Sequence, residues 1–153
     1  MHILITGGAG FIGSNLTRKL FMDDPTVRIT CIDNFDPFYK EEIKRFNIRD
    51  FMSLPGYQFI EKDIALCPIE EMTRLIKEPV DVIVHIAAKA GVRPSIENPL
   101  AYQQANVIGL QQMLDFARIN KVGQFVFASS SSVYGANDHY PWKEDERLMP
   151  ISP

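Results

Sequence analysis

The stretch Thr6-Gly7-Gly8-Ala9-Gly10-Phe11-Ile12-Gly13 follows directly on the apolar run His2-Ile3-Leu4-Ile5. A strand that runs into clustered glycines and then into a helix is an arrangement that grips a pyrophosphate. Two spacings coexist here. Gly8, Gly10 and Gly13 fit G-x-G-x-x-G, while Gly7, Gly10 and Gly13 fit G-x-x-G-x-x-G. One glycine permits the tight turn, one lets the backbone approach the phosphates, and one lets the helix pack close to the strand. The helix expected over residues 12–22 then aims its unpaired N–H groups and positive dipole end at the anion.

Working outward, a second apolar run, Val27-Arg28-Ile29-Thr30-Cys31-Ile32, ends in Asp33. An acid about 20 residues beyond the last glycine is placed to meet the hydroxyls of an adenosine ribose. It favours NAD, because a 2′-phosphate would be repelled, and no arginine or lysine adjoins Asp33 in the sequence to reverse that preference. The competing reading is that Asp33 merely caps a turn with Asn34.

The rest of the chain repeats the strand–helix order. Strands are expected over 2–6, 27–33, 57–61, 80–86 and 124–129. Helices are expected over 12–22, within 38–52, over 69–76 and over 99–120. Ile43, Phe46 and Phe51 suggest the apolar stripe of the second helix, and Ile69, Met72, Leu75 and Ile76 that of the third. The near-continuous apolar run of the fourth strand suits a strand buried on both faces. Such alternation implies a doubly wound parallel α/β sheet in three αβα layers. Residues 1–135 read as one dinucleotide-binding domain and residues 136–153 as a polar, proline-containing loop.

Composition narrows the partners. The chain has 153 residues, 46% of them hydrophobic, and a net charge of −3 without a basic block. Nothing in it suggests nucleic acid or an anionic membrane, and no apolar run approaches the ~20 residues of a membrane span. The absence of a signal peptide and the unpaired spacing of Cys31 and Cys67 point to a cytoplasmic protein with reduced thiols. No His, Cys or carboxylate set has metal-ligand spacing, so no metal is expected.

In an open parallel sheet, ligands bind beyond the carboxyl ends of the strands. The candidates are therefore the glycine loop, Asp33-Asn34, Asp63-Ile64, the Ala87-to-Arg93 segment and the Ser129-to-Gly135 segment. Ala87 and Ala88 are small enough to let a flat cofactor lie on the backbone, or to pack a helix against a strand. Lys89 and Arg93 suit phosphates or a carboxylate, or a solvated surface. The serine run offers hydroxyls to a substrate oxygen, or ends a strand in turns. His85 reads as a satisfied core histidine.

Together these segments resemble the extended short-chain dehydrogenase/reductase enzymes that act on nucleotide sugars, the NAD-dependent epimerase/dehydratase group. The resemblance rests on Thr6 to Ser14, Ile32-Asp33-Asn34-Phe35, Asp63-Ile64, His85-Ile86-Ala87-Ala88, Asn106-Val107-Ile108-Gly109 and Phe127 to Gly135. Within the group, Ala90-Gly91-Val92-Arg93-Pro94-Ser95 and Asp33 to Tyr39 look most like UDP-glucuronate 4-epimerases. The resemblance implies a Rossmann-like fold, NAD as cofactor, a UDP-sugar as substrate and a homodimer for the full-length enzyme. Gly7, Gly10 and Gly13 would shape the turn, and Phe11 and Ile12 would donate amides to the pyrophosphate. Asp33 and Asn34 would serve the adenosine ribose, Asp63 and Ile64 the adenine. Ala87, Ala88 and Lys89 would line the cofactor channel, with Asn106 holding the loops and Ser129 beside the cofactor. Ser130 would take the place of the catalytic serine or threonine, with Arg93 and Ser131 toward the substrate.

Two departures from the family pattern carry information. Related dehydratases place an Asp-Glu pair directly after the catalytic residue, and related decarboxylases a Glu at the second of those positions. Here these positions are Ser131 and Ser132. No acid stands there to protonate a leaving hydroxyl, so epimerisation is the favoured reading. The family's general base is a tyrosine with a lysine four residues later, closely following Ser-Pro. None of the tyrosines at 39, 57, 102, 134 and 140 has that lysine, and Ser152-Pro153 stand last. The expectation is an N-terminal portion, inactive alone, that lacks the later strands and substrate domain. The alternative is a non-catalytic NAD-binding or protein-interaction module.

Overall fold

In the computed structural model, which describes residues 1–152, five parallel strands form one sheet: β1 (His2–Thr6), β2 (Arg28–Asp33), β3 (Tyr57–Glu61), β4 (Val82–His85) and β5 (Gln124–Phe127). Their spatial order is β3-β2-β1-β4-β5. The chain grows outward from β1 to β3, then returns to β1's other side for β4 and β5. The reversal between β1 and β4 is the kind of switch point where such sheets open a ligand crevice. Thr6 pairs with Ile32 on one side and His85 on the other, so three strands end level at that crevice.

Alternation along β1 explains the layers. Ile3 and Ile5 pack with Val27, Ile29 and, from α1 (Phe11–Asp23), Leu16 and Leu20. Leu4 faces the opposite way, among Ile60, Met72, Ile83, Met113 and Phe116. Those last contacts come from α3 (Ile69–Leu75) and α6 (Gly109–Ile119). The period-two side-chain pattern thus splits the apolar residues of one strand between two helical layers.

Three expectations need correction. The stripe of α2 (Glu41–Ile48) is not the one expected: Ile43 and Phe46 are exposed at 55% and 60%, while Lys44, Ile48 and Phe51 are buried. Phe51 is buried as expected, but positions 44, 48 and 51 follow the i, i+4, i+7 rule, so Lys44 and Ile48 replace Ile43 and Phe46 on the inward face. The helix expected over 99–120 is three pieces, α5 (Pro99–Tyr102), a π-helical segment (Gln103–Ile108) and α6, preceded by an unanticipated α4 (Val92–Glu97). The strands β4 and β5 are shorter than expected because the backbone beyond them turns to the crevice. Ile86 N–H and Ala87 N–H, for instance, reach Thr6 Oγ1 at 3.2 Å.

The polar segment after Gly135 has neither helix nor strand, yet it is tied down. Buried Asn137 donates to Arg147 O at 3.1 Å and accepts from His139 N–H at 2.8 Å, while Trp142 Nε1 donates to Asn137 O at 3.0 Å. Met149 N–H returns to Val133 O at 3.0 Å and closes the loop. Pro153 lies outside the described residues.

Candidate dinucleotide site

The glycine turn is built by exclusion of side chains. Gly7 has φ +71°, and a Cβ there would stand 2.8 Å from the Ala87 backbone. A Cβ on Gly13 would stand 2.6 Å from both Gly7 O and Gly8 Cα. The first contact lets the ends of β1 and β4 meet. The second lets α1 lie on the turn that launches it. Gly10 precedes α1, and no side chain caps the N–H groups of Phe11 and Ile12 that open the helix. An uncapped, glycine-floored helix start is a favourable place for an anion.

Asp33, at the end of β2, is buried beside this turn. Its Oδ2 accepts from Ala9 N–H at 3.2 Å and its Oδ1 from Phe35 N–H at 2.8 Å. The turn-capping role considered from sequence is therefore present, and made to Phe35. Lys44 Nζ lies 3.5 Å from Asp33 Oδ1. The expectation that no lysine stands beside Asp33 holds along the chain but fails in space, because α2 folds its inward face over the end of β2. Asn34 Nδ2 donates to Asp63 Oδ2 at 3.0 Å, which links the ends of β2 and β3.

One cleft of about 230 Å³ is lined among others by Gly7, Asp33, Asn34, Asp63, Ile64, Ala87, Ala88 and Lys89, while Gly10, Phe11, Ile12 and Gly13 at the start of α1 lie outside its lining. Ala87 lines the cleft and also packs against the core, so both sequence readings of it coexist. Lys89 is not free for an anion: its ammonium pairs with Asp36 at 2.5 Å across the cleft. Burial alone would raise the Asp36 pKa. The bonds from Lys89 and from Phe38 N–H outweigh it and hold the carboxyl below its ordinary value. A second depression of about 170 Å³, around His2, Arg28 and Glu78, lies at the opposite strand ends and away from these groups.

Asn106 acts on the same edge from the π-helical segment. Its Oδ1 accepts from Lys89 N–H at 2.8 Å and its Nδ2 donates to Lys89 O at 3.1 Å. This two-point hold on one residue's backbone falls within the widened helical segment, a feature common at functional sites. Replacing Asn106 by alanine strands both backbone groups. The expected cost is about 1–3 kcal/mol, visible as faster hydrogen exchange at the Lys89 amide. Unchanged exchange there would show that the contact is not formed in solution.

Asn106 touches the cleft edge only through Lys89, and the serine segment and Arg93 do not join the cleft. Ser129, Ser130 and Ser131 are exposed beyond β5, where Ser130 Oγ accepts from Ser132 N–H at 3.2 Å and opens a 3-10 turn (Ser131–Val133). Arg93 is exposed on α4. Two contributors were not singled out from sequence. Lys44 carried no signal other than its place on a short helix. Thr6 carried one, as the last strand residue before the glycines. Its hydroxyl bonds Ile86 N–H, Ala87 N–H and His85 Nδ1, the last at 2.8 Å. Among the described residues no cluster of metal-ligating groups exists, and no helix is long and apolar enough to cross a membrane. Burial pushes the Cys31 thiol up to about 12, which keeps it protonated beneath Gly8.

Residues 4–153 match the family model described as GDP-mannose 4,6 dehydratase. The chain belongs to that family. Relatives of the GDP-mannose 4,6 dehydratase family include a probable UDP-glucuronate 4-epimerase of Rhizobium meliloti, 35% identical over 96% of this chain and 42% of that protein. A dTDP-glucose 4,6-dehydratase of Streptomyces griseus is also 35% identical, over 99% of this chain and 44% of that protein. The crystal structure of UDP-glucuronic acid 4-epimerase from Bacillus cereus, in complex with UDP-glucuronic acid and NAD, superposes with a TM-score of 0.89. It is 33% identical, over 99% of this chain and 47% of that one. The chain thus spans about half the length of the family members it matches. The Rossmann-like fold anticipated from sequence is the fold found, and the family is the nucleotide-sugar group whose motifs it resembled.

Proposed function

We propose that the chain is the NAD-binding portion of a nucleotide-sugar 4-epimerase of the UDP-glucuronate type. One observation carries the reading of the cofactor. The uncapped start of α1 rests on glycines with no room for a Cβ, and a buried acid, Asp33, stands at the end of the next strand. The first suits a pyrophosphate and the second an adenosine ribose, so the residues fit NAD. Asn34, Asp63 and Ile64 are assigned to the adenosine end. Ala87, Ala88, Lys89, Asn106 and Ser129 are assigned to the path toward the nicotinamide.

NAD, when bound, supplies an acceptor and later a donor of hydride at the sugar carbon. Ser130 is assigned to holding the sugar 4-hydroxyl, with Ser131 beside it. Arg93, which has no acidic partner within 4 Å among the described residues, is assigned to a substrate phosphate or carboxylate. Ser131 and Ser132 offer no acid to expel a hydroxyl, which favours epimerisation over dehydration. Because no tyrosine of the chain has a lysine four residues later, the 153 residues alone are proposed to bind without turnover. The whole enzyme is proposed to be cytoplasmic and homodimeric. Leu100, Val107 and Leu114 stay exposed at 74%, 56% and 43%, apolar surface that a second copy would cover.

Calorimetry tests the cofactor assignment. The chain is expected to bind NAD, and Asp33→Asn to weaken it about tenfold or more, since a charge-assisted bond is replaced by a neutral one. No heat of binding with NAD, or equal affinity in the variant, contradicts the assignment.

A further inference from the structure

The ribose end of the cleft is not read by an acid alone. Lys44 comes eleven residues after Asp33, on a helix whose apolar residues Ile43 and Phe46 face solvent while the lysine turns inward. Its ammonium lies 3.5 Å from Asp33 Oδ1, with both side chains nearly buried, at 11% and 5% exposure. Both residues line the cleft. Asp33 is the only carboxylate within 4 Å of Lys44 among the described residues, and an ammonium has three donors. Inward placement of a lysine is costly unless it is paired or used. A single long contact leaves donors available at the point where the 2′ substituent of an adenosine would sit.

We propose that Lys44 is a specificity residue for the dinucleotide, setting how strongly the site refuses a 2′-phosphate. This rests on the NAD-binding reading above. A lone buried carboxylate repels a 2′-phosphate, which is why an acid at the end of β2 selects NAD. Here the carboxylate is half of a pair with no net charge, and the other half is a phosphate-binding group. Asp33 remains committed to Ala9 N–H and Phe35 N–H, so Lys44 is the partner free to turn toward the phosphate. Of the other nearby lysines, Lys89 is held by Asp36 and Lys62 by Glu71 at 2.8 Å. The chain therefore binds NADP as well as NAD, with NAD the tighter, and Lys44 narrows the gap.

The test is the ratio of the NADP and NAD dissociation constants, measured by calorimetry on the whole chain, on Lys44→Met and on Lys44→Arg. Methionine keeps the length and packing of the stem without the charge. The wild-type ratio is expected to be about ten or less. It should rise about tenfold or more in Lys44→Met, mainly through weaker NADP, and return toward wild type in Lys44→Arg, which retains a phosphate-binding cation. A general packing defect would weaken both dinucleotides alike, leave the ratio unmoved, and overturn the proposal. So would a wild-type chain that binds NAD but not NADP. If NAD itself does not bind the wild-type chain, the cofactor reading fails first and this proposal falls with it.

Discussion

A Gly7→Val variant is expected to lose measurable NAD binding and about 3 kcal/mol or more of stability. Two costs add at this position. Valine is β-branched and disfavours the left-handed backbone that Gly7 adopts at φ +71°. Its Cβ would also stand 2.8 Å from Ala87 N and Cα, which are backbone atoms and cannot rotate away. Each cost is on the order of 1–3 kcal/mol. Relief requires β1 and β4 to part at their ends, and that movement opens the crevice proposed to hold the dinucleotide. Gly10 gives the matched control. An added Cβ there meets only Gly7 O at 3.2 Å, so Gly10→Ala should keep the fold and lose affinity by a smaller margin. Denaturant unfolding and calorimetry on the two variants measure both effects. Near-wild-type stability and affinity in Gly7→Val would mean that the strand ends do not meet as described.

The glycine turn was legible in the sequence because its causes are local. Strand, glycines and helix follow one another within a dozen residues, and each glycine spacing has a steric reason. The five strands were legible for a related reason, since buried parallel strands are short apolar runs between turn residues. The misread features have causes that are distant in sequence. The long helix expected over 99–120 is widened over Gln103–Ile108, where Asn106 bonds the backbone of Lys89, seventeen positions earlier. Nothing in the helical periodicity of 99–120 reports that contact. The face of α2 was misassigned because a helix of eight residues holds too few turns to average out two exposed apolar residues. Lys44 was hidden by that same error. The neighbours of Asp33 in the chain carry no positive charge, whereas in space the α2 face that lies over β2 brings Lys44 to 3.5 Å from it. The Ser129–Ser131 segment marks the other boundary. Its residues carry a family-like motif, but they lie beyond an edge strand whose Val126 and Phe127 are exposed at 42% and 52%, apart from the cleft that gathers Gly7, Asp33, Asp63 and Ala87.

Acid is expected to loosen this chain in a window set by His85. Thr6 Oγ1 accepts from Ala87 N–H and from Ile86 N–H, which it shares with Thr6 O, so backbone donors face both its lone pairs. Its own proton must then point to His85 Nδ1, so that nitrogen is an acceptor and the imidazole is neutral. Burial lowers the His85 pKa to about 4. In the unfolded chain the ring titrates near its ordinary value of about 6.5, so the unfolded state takes up the proton first. The stability this histidine contributes is therefore complete above about pH 6.5 and is lost as the pH falls toward 4. The whole loss is about 3 kcal/mol. His2 is shifted the same way, chiefly by burial, and adds to the slope. Asp36 is held below its ordinary value and acts only at lower pH. Urea midpoints between pH 7 and pH 4.5 should fall for the wild type. A His85→Gln variant should start less stable and fall less steeply, because the His85 share of the slope is gone while His2 and the low-lying carboxylates such as Glu71 remain. A wild-type midpoint that does not move over this range would show that His85 is not buried neutral. Protonating His85 removes the acceptor for the Thr6 proton and disturbs the hydroxyl that holds Ala87 beside Gly7. Dinucleotide affinity should therefore hold through most of that window and weaken only as the pH nears 4, where the folded chain itself takes up the proton.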